Sequence, residues 1–188
     1  MRKSRRKARE SALRALYEME IGKVRVGDAL EEMTGNAELN PDLMQFANQL
    51  VAGVHEKQAF LDDKLAARIR EYQLERIAAV DRNLLRIAAY ELYFCDEIPP
   101  IVSINEAIEL AKKYSTAESG KFVNGVLAHL MEDSPKAHWD PTAHVQEFEE
   151  TAPSEEQPEV ETIEEGTPEA KELARIGLWK TRSREDGS

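Results

Sequence analysis

Residues 80–92 read VDRNLLRIAAYEL, and their spacing decides the fold class. Val80, Leu84, Leu85, Ile87, Ala88 and Leu92 recur at steps of three and four, which predicts a fifth helix with one apolar face. On its N-terminal side, Phe60, Leu61, Leu65 and Ile69 predict a fourth helix. Before that, Leu43, Phe46, Leu50, Val51 and Val54 follow Pro41, a residue suited to a first helical turn. Val26, Leu30 and Met33 mark a short second helix ending near Gly35. Ala8, Ala12, Ala15, Leu16 and Met19 mark the first, with Gly22 as its stop. On the C-terminal side, Pro99 and Pro100 break the chain. Ser103 with Glu106, and Ser115 with Glu118, each have the S-x-x-E spacing of a capping box and predict the starts of the last two helices. Ile104, Ala107, Ile108 and Ala111 line the first of these, and Phe122, Val123, Val126, Leu127 and Leu130 the second, which Pro135 ends. No segment alternates with a period of two. The reading is an all-α globule of seven helices with short connections.

The chain has 188 residues, a 41% hydrophobic and 6% aromatic composition and a formal net charge of −11. Residues 1–134 hold 19 Lys and Arg against 22 Asp and Glu, net −3, while residues 135–188 hold 6 against 14, net −8. Within residues 1–25, 9 basic residues face 3 acidic ones, net +6. Overall acidity therefore does not exclude a local phosphate contact at the basic end. Residues 1–134 read as one helical domain. From 135 to 188, repeated Pro and Glu predict a mostly disordered acidic tail, because such a segment cannot bury enough apolar surface to offset its ordering entropy. A marginal helix near Ala170–Lys180 would carry Trp179. The tail either stays solvated or folds back on the basic arm and competes with random RNA.

Catalytic chemistry has little to work with. His55, His129, His138 and His144 form no H-E-x-x-H motif, and there is no P-loop, dinucleotide fingerprint or G-x-S-x-G. Cys95, the single cysteine, excludes an intramolecular disulfide or a multi-Cys zinc site, and reads as a small buried filler. No cofactor or metal is expected. With no apolar run of membrane length and no signal-peptide h-region, a cytoplasmic location is expected. The basic cluster points elsewhere. Arg2, Lys3, Arg5, Arg6, Lys7 and Arg9 are six of the first nine residues and lead straight into a helix. A guanidinium fork suits phosphate, and Tyr17 further along could stack on an unpaired base. The same cluster is also compatible with a basic start that only aids solubility. Phe122 is either a core aromatic or a contact residue. Gly125, costly inside a helix, predicts the close approach of a neighbouring helix, and Asn124 a bridge to a helix end.

Four segments resemble the NusB antitermination-factor family: Ala8–Glu18 (ARESALRALYE), Val80–Leu92, Ile104–Tyr114 (INEAIELAKKY) and Ser119–Leu127 (SGKFVNGVL). The last is the most specific, because it sets Gly and Asn among apolar helix positions. The resemblance implies a seven-helix fold of two packed sub-bundles and a non-enzymatic role in processive antitermination of ribosomal RNA operons. It implies pairing with NusE, a protein of the small ribosomal subunit, binding of single-stranded boxA RNA, and entry into an RNA polymerase complex that opposes Rho-dependent termination. Carried over by position, it makes Arg5, Arg6 and Arg9 phosphate contacts, with Arg2 and Lys3 beside them. Tyr17 becomes a base contact, and Ser119, Lys121 and Phe122 lie near the RNA. Glu118 takes the place of a commonly acidic residue before that Ser. A NusE-facing surface would include Glu75, Asp81, Leu84 and Arg86. A homodimer stays open. Ser115 departs from the family's usual Gly, so a left-handed backbone there would be strained, and the acidic tail has no counterpart in the common domain. Two other readings stand beside this one. One is an RNA-modifying enzyme, since a NusB-like domain also precedes a ribosomal RNA methyltransferase domain, for which residues 135–188 are too short and polar. The other is a helical adaptor that binds only protein.

Overall fold

The computed structural model describes residues 2–35, 39–69 and 73–139, without the side chains of residues 2–4 and 117. These residues form seven α-helices and no strand: α1 Arg2–Ile21, α2 Val26–Gly35, α3 Pro41–Glu56, α4 Gln58–Ala66, α5 Ala79–Phe94, α6 Pro100–Tyr114 and α7 Ala117–Glu132, with a single 3-10 turn at Leu74–Arg76. One sub-bundle packs α1 with α2 and α3, and the other packs α4 to α7. Helix α5 joins them, touching α1, α3, α4, α6 and α7.

Local chemistry explains the boundaries. Helix α1 stops before Gly22, whose added Cβ would sit 2.7 Å from the Glu18 carbonyl oxygen, and Lys23 follows with φ 56°. Helix α3 opens on Pro41, and the Asn40 side chain accepts the free Leu43 N–H at 2.9 Å. Pro100 occupies the first turn of α6, where its missing N–H costs nothing. The proline pair therefore begins that helix, and the expected start at Ser103 is wrong. Ser103 and Glu106 are both buried inside α6, so they form no capping box. The second expected box is also replaced. Thr116, not Ser115, caps α7 by accepting the Ser119 N–H at 3.1 Å. Ser115 has φ −126°, so the strain expected there does not arise.

Helix α5 is buried nearly all round, as befits a helix at the centre of a globule, and its buried polar residues are each paired with a neighbouring helix. Leu84, Leu85, Ala89 and Leu92 are buried with Leu50, Val51, Leu61, Leu65, Leu110, Leu127 and Leu130 from its neighbours. Each such leucine contributes roughly 1.5–3 kcal/mol on leaving water. Gly53 of α3 lies against the Tyr90 ring of α5 so closely that a Cβ would overlap it. Gly125, expected to admit a neighbour, is exposed with nothing within 4 Å of such a Cβ, and Asn124 beside it is also exposed.

The folded body runs past the expected boundary at residue 134. Ser134 and Lys136 are buried. The Lys136 ammonium donates to the carbonyls of Glu91 (2.8 Å), Ile98 (2.7 Å) and Cys95, closing the C-terminal end of α5. Burial holds this lysine below its ordinary pKa, and pushes the Cys95 thiol up to about 12. Cys95 is buried filler, as expected. The expected disorder of the tail, and Trp179, fall on residues 140–188 and lie outside the described residues.

Candidate nucleic-acid interface

The basic run enters α1, and the helix sorts its members by face. The side chains of Arg2 and Lys3 lie outside the described residues. Arg5 and Lys7 point to solvent, with the Arg5 guanidinium 5.1 Å from the Phe46 ring centroid. Arg6 donates two bonds to Glu106 of α6 at 2.7 and 2.8 Å, yet its side chain stays 39% exposed. The hydrogen bond it donates to Glu106 raises its pKa above the ordinary value. Arg6 therefore keeps a guanidinium edge for a phosphate while being aimed by a carboxylate.

Arg9 is different, and its expected phosphate contact is corrected. It is 3% exposed and donates two bonds, at 2.7 and 3.0 Å, to a fully buried Glu91. The Ser103 hydroxyl completes that carboxylate at 2.6 Å. Arg9 uses the same two nitrogens as Arg6, but at 3% exposure its remaining N–H groups are out of a ligand's reach. Its role is to tie α1 to α5 and α6.

The other half of the surface forms where α6 ends and α7 begins. Lys113 donates to Glu10 of α1 at 2.8 Å, a bond that raises the lysine's pKa, and lies 4.9 Å from the Tyr114 ring centroid. Tyr17 of α1 and Tyr114 of α6 border one cleft with Leu13 and Val80. Beyond it, Glu118 and Lys121 are exposed and 3.5 Å apart, while Phe122 is half-buried against the core. Ser119 is buried. Its hydroxyl donates to Asp81 of α5 at 2.8 Å and lies 2.9 Å from the hydroxyls of Ser115 and Thr116. Ser119 thus positions the start of α7 on the start of α5, and its expected place at the RNA is corrected. Lys113 and Tyr114 were missed as site residues. Their signal was present in the adjacent lysines and aromatic of AKKY, which periodicity treats only as a helix end.

The expected partner-facing set divides in the same way. Glu75 is exposed. Asp81, Leu84 and Arg86 are 6%, 1% and 7% exposed, so they present no free face. Arg86 donates to Asp62 of α4 at 2.7 and 2.8 Å and to Glu20 of α1 at 3.0 Å. Glu20 also accepts from Asn83 at 2.9 Å and from Arg82. Burial pushes Glu20 upward in pKa, but the bonds from Arg82 and Asn83 and the charges of Arg82 and Arg86 outweigh it and hold the carboxyl below its usual range. These side chains clamp three helices together. Among the described residues no cluster of His, Cys, Asp and Glu could hold a metal ion, and no helix is long and apolar enough to cross a membrane.

Comparison with known proteins adds an independent line. The family model described as "NusB family" matches residues 6–132. The chain is 45% identical over 126 residues to the transcription antitermination protein NusB of Geobacillus kaustophilus, covering 67% of this chain and 94% of that one. It is 43% identical over 129 residues to the Bacillus subtilis protein of the same name, covering 69% and 95%. Among solved structures, NusB of T. maritima superposes with a TM-score of 0.67 at 36% identity, covering 71% of this chain and 94% of that one. A crystal structure of the antitermination factors NusB and NusE in complex with dsRNA holds a chain that matches with a TM-score of 0.64 at 28% identity, covering 70% and 98%.

Proposed function

Because the chain belongs to the NusB family, we propose that it is a non-enzymatic transcription antitermination factor that acts with NusE on RNA. Together they bind single-stranded boxA RNA in nascent ribosomal RNA transcripts, join RNA polymerase in the cytoplasm and oppose Rho-dependent termination. The observation that carries this reading is a surface of mixed chemistry. Arg5, Arg6 and Lys7 of α1 supply positive charge for phosphates. Tyr17 and Tyr114 supply half-exposed aromatic faces for unpaired bases. Glu118, Lys121 and Phe122 follow Tyr114 in the chain, on the start of α7 that the Ser119–Asp81 bond fixes against α5. Glu75 remains the one exposed member of the expected partner set. The NusB–NusE complex with RNA among the structural relatives supports NusE as the partner.

The experiment is fluorescence anisotropy of a boxA-like single-stranded RNA, with and without NusE, at two salt concentrations, against a scrambled RNA. Tighter, sequence-selective binding only when both proteins are present supports the reading. Weak binding that is equal for both RNAs and indifferent to NusE sinks it, leaving generic electrostatics and favouring a protein adaptor.

A further inference from the structure

We infer that Arg82 is a positioning residue that holds the connection between α4 and α5 in the shape a protein partner meets. The inference rests on the reading that the chain pairs with NusE, and adds to it how one contact surface is built. The 3-10 turn Leu74–Arg76 leaves Gln73, Glu75 and Arg76 exposed, while Leu74 is buried. Within the turn, the Arg76 N–H donates to the Gln73 carbonyl at 2.9 Å and the Ile77 N–H to the Leu74 carbonyl at 3.2 Å. The remaining support comes from the first turn of α5. Nη1 of Arg82 donates to the carbonyls of Leu74, Glu75 and Ile77 at 3.0, 2.9 and 2.7 Å. Its Nη2 donates to the Glu20 carboxylate of α1. The Arg82 side chain is itself only 12% exposed.

A short connection ordinarily leaves its carbonyls to water and its residues mobile. Here one guanidinium collects three carbonyls of the connection, and its charge is balanced on the far side by Glu20, which also accepts from Asn83 and Arg86. The turn is therefore tied to α1 and α5 together. A partner that meets it does not have to order it, and ordering a loop on binding costs affinity. The exposed side chains select the class of partner. Glu75 and Arg76 carry opposite charges, and neither makes an ion pair among the described residues. A polyanion is attracted by one and repelled by the other, so the turn offers RNA no net charge. A protein surface with complementary charges can use both. Arg82 acts on that surface only through the backbone it holds.

The test titrates NusE into the full chain without RNA, by calorimetry, and follows amide hydrogen exchange of the chain alone. Arg82→Gln is expected to weaken NusE binding roughly 5- to 30-fold, the factor for one turn residue left to be ordered on binding. In the same variant the Arg76 and Ile77 amides should exchange faster, while those of Leu85 and Ala88 inside α5 stay protected. Glu75→Gln should weaken NusE binding in the unsubstituted chain and lose most of that effect in the Arg82→Gln background, because Glu75 is then no longer held in place. Val51→Ala, a destabilising change in the core of α3, should lower the melting temperature and leave NusE affinity as it was, which separates positioning from loss of fold. If melting shows that Arg82→Gln is unfolded, Arg82→Lys replaces it with the same expectations, since its ammonium keeps a charge beside Glu20 but cannot serve Glu20 and the turn through separate nitrogens. Unchanged NusE affinity, or additive effects of the two substitutions, overturns the positioning role. Unchanged exchange at Arg76 and Ile77 overturns it too, and that reading needs no partner. Weaker RNA binding with NusE affinity intact also overturns it and assigns the turn to RNA. No NusE binding by the unsubstituted chain overturns the pairing itself, and the role of Arg82 with it.

Discussion

Arg9 and Arg6 lie three positions apart on α1, and the difference between them is one of depth. Arg6 meets Glu106 at the surface and keeps more than a third of its side chain in water. Arg9 meets Glu91 in the core, where both partners have left water entirely. Removing one member of a buried pair strands the other charge in a low-dielectric interior, which costs about 3–5 kcal/mol. Arg9→Ala is therefore expected to lose about that much stability in urea denaturation, because Glu91 would keep only Ser103. The same measurement on an exposed neighbour such as Arg5 should show almost no change. Glycines make the point in reverse. Gly125 looked costly enough to require a helix contact, but it faces solvent, while Gly53, unremarkable in the sequence, is the one pressed against an aromatic ring. Composition names a glycine and cannot say what its missing side chain would have met.

Helix α5 shows how one element serves both stability and site. Its apolar residues bury against five other helices, and its polar ones each reach a different neighbour. Asp81 takes Ser119 of α7, Asn83 and Arg86 take Glu20 of α1, Arg86 takes Asp62 of α4, and Glu91 takes Arg9 of α1 and Ser103 of α6. The Glu20 clamp has a pH signature. Its folded-state pKa is depressed below the ordinary 4.5, so the folded protein binds fewer protons there than the unfolded chain. Its contribution is complete above pH 4.5 and fades as pH falls through the lower folded value. Glu20→Gln should thus be less stable than the unsubstituted chain at neutral pH, and the gap should narrow as the solution is acidified below pH 4.5. Chemical denaturation at a series of pH values measures this. A gap that widens on acidification would contradict the clamp. Periodicity located α5 correctly because its apolar residues recur at steps of three and four. It could not say that Asp81, Leu84 and Arg86 lie beneath other helices, since a helix buried all round has no outer face for a partner.

At the scale of the whole molecule, charge is separated along the chain, with net +6 in residues 1–25 and net −3 over residues 1–134. Binding to a polyanion depends on how many cations reach it, not on the sum. Of the basic run with described side chains, Arg5 and Lys7 are exposed and Arg6 is partly so, while Arg9 is withdrawn. Each phosphate contact to a single strand contributes about 0.7 to the slope of log affinity against log salt. A double variant, Arg5→Ala with Lys7→Ala, should lower the magnitude of that slope by up to about 1.4, with equal weakening for cognate and scrambled RNA. Anisotropy titrations over a range of salt measure it. A loss confined to the cognate RNA would mean that these residues read bases.

The sequence by itself determined the seven helices, several of their ends and the family, because periodic burial, prolines and turn residues act over a few positions. The capping boxes at Ser103 and Ser115 failed for the same reason: S-x-x-E is a local pattern, and in α6 the core claimed both members. Only the tertiary structure decided which charges face water and which are spent inside. It withdrew Arg9, Ser119, Asp81, Leu84 and Arg86 from the surface, and brought Tyr114 of α6 to the same cleft as Tyr17 of α1. Those outcomes depend on residues tens of positions apart meeting in space, and spacing along one helix carries no record of what the next helix covers.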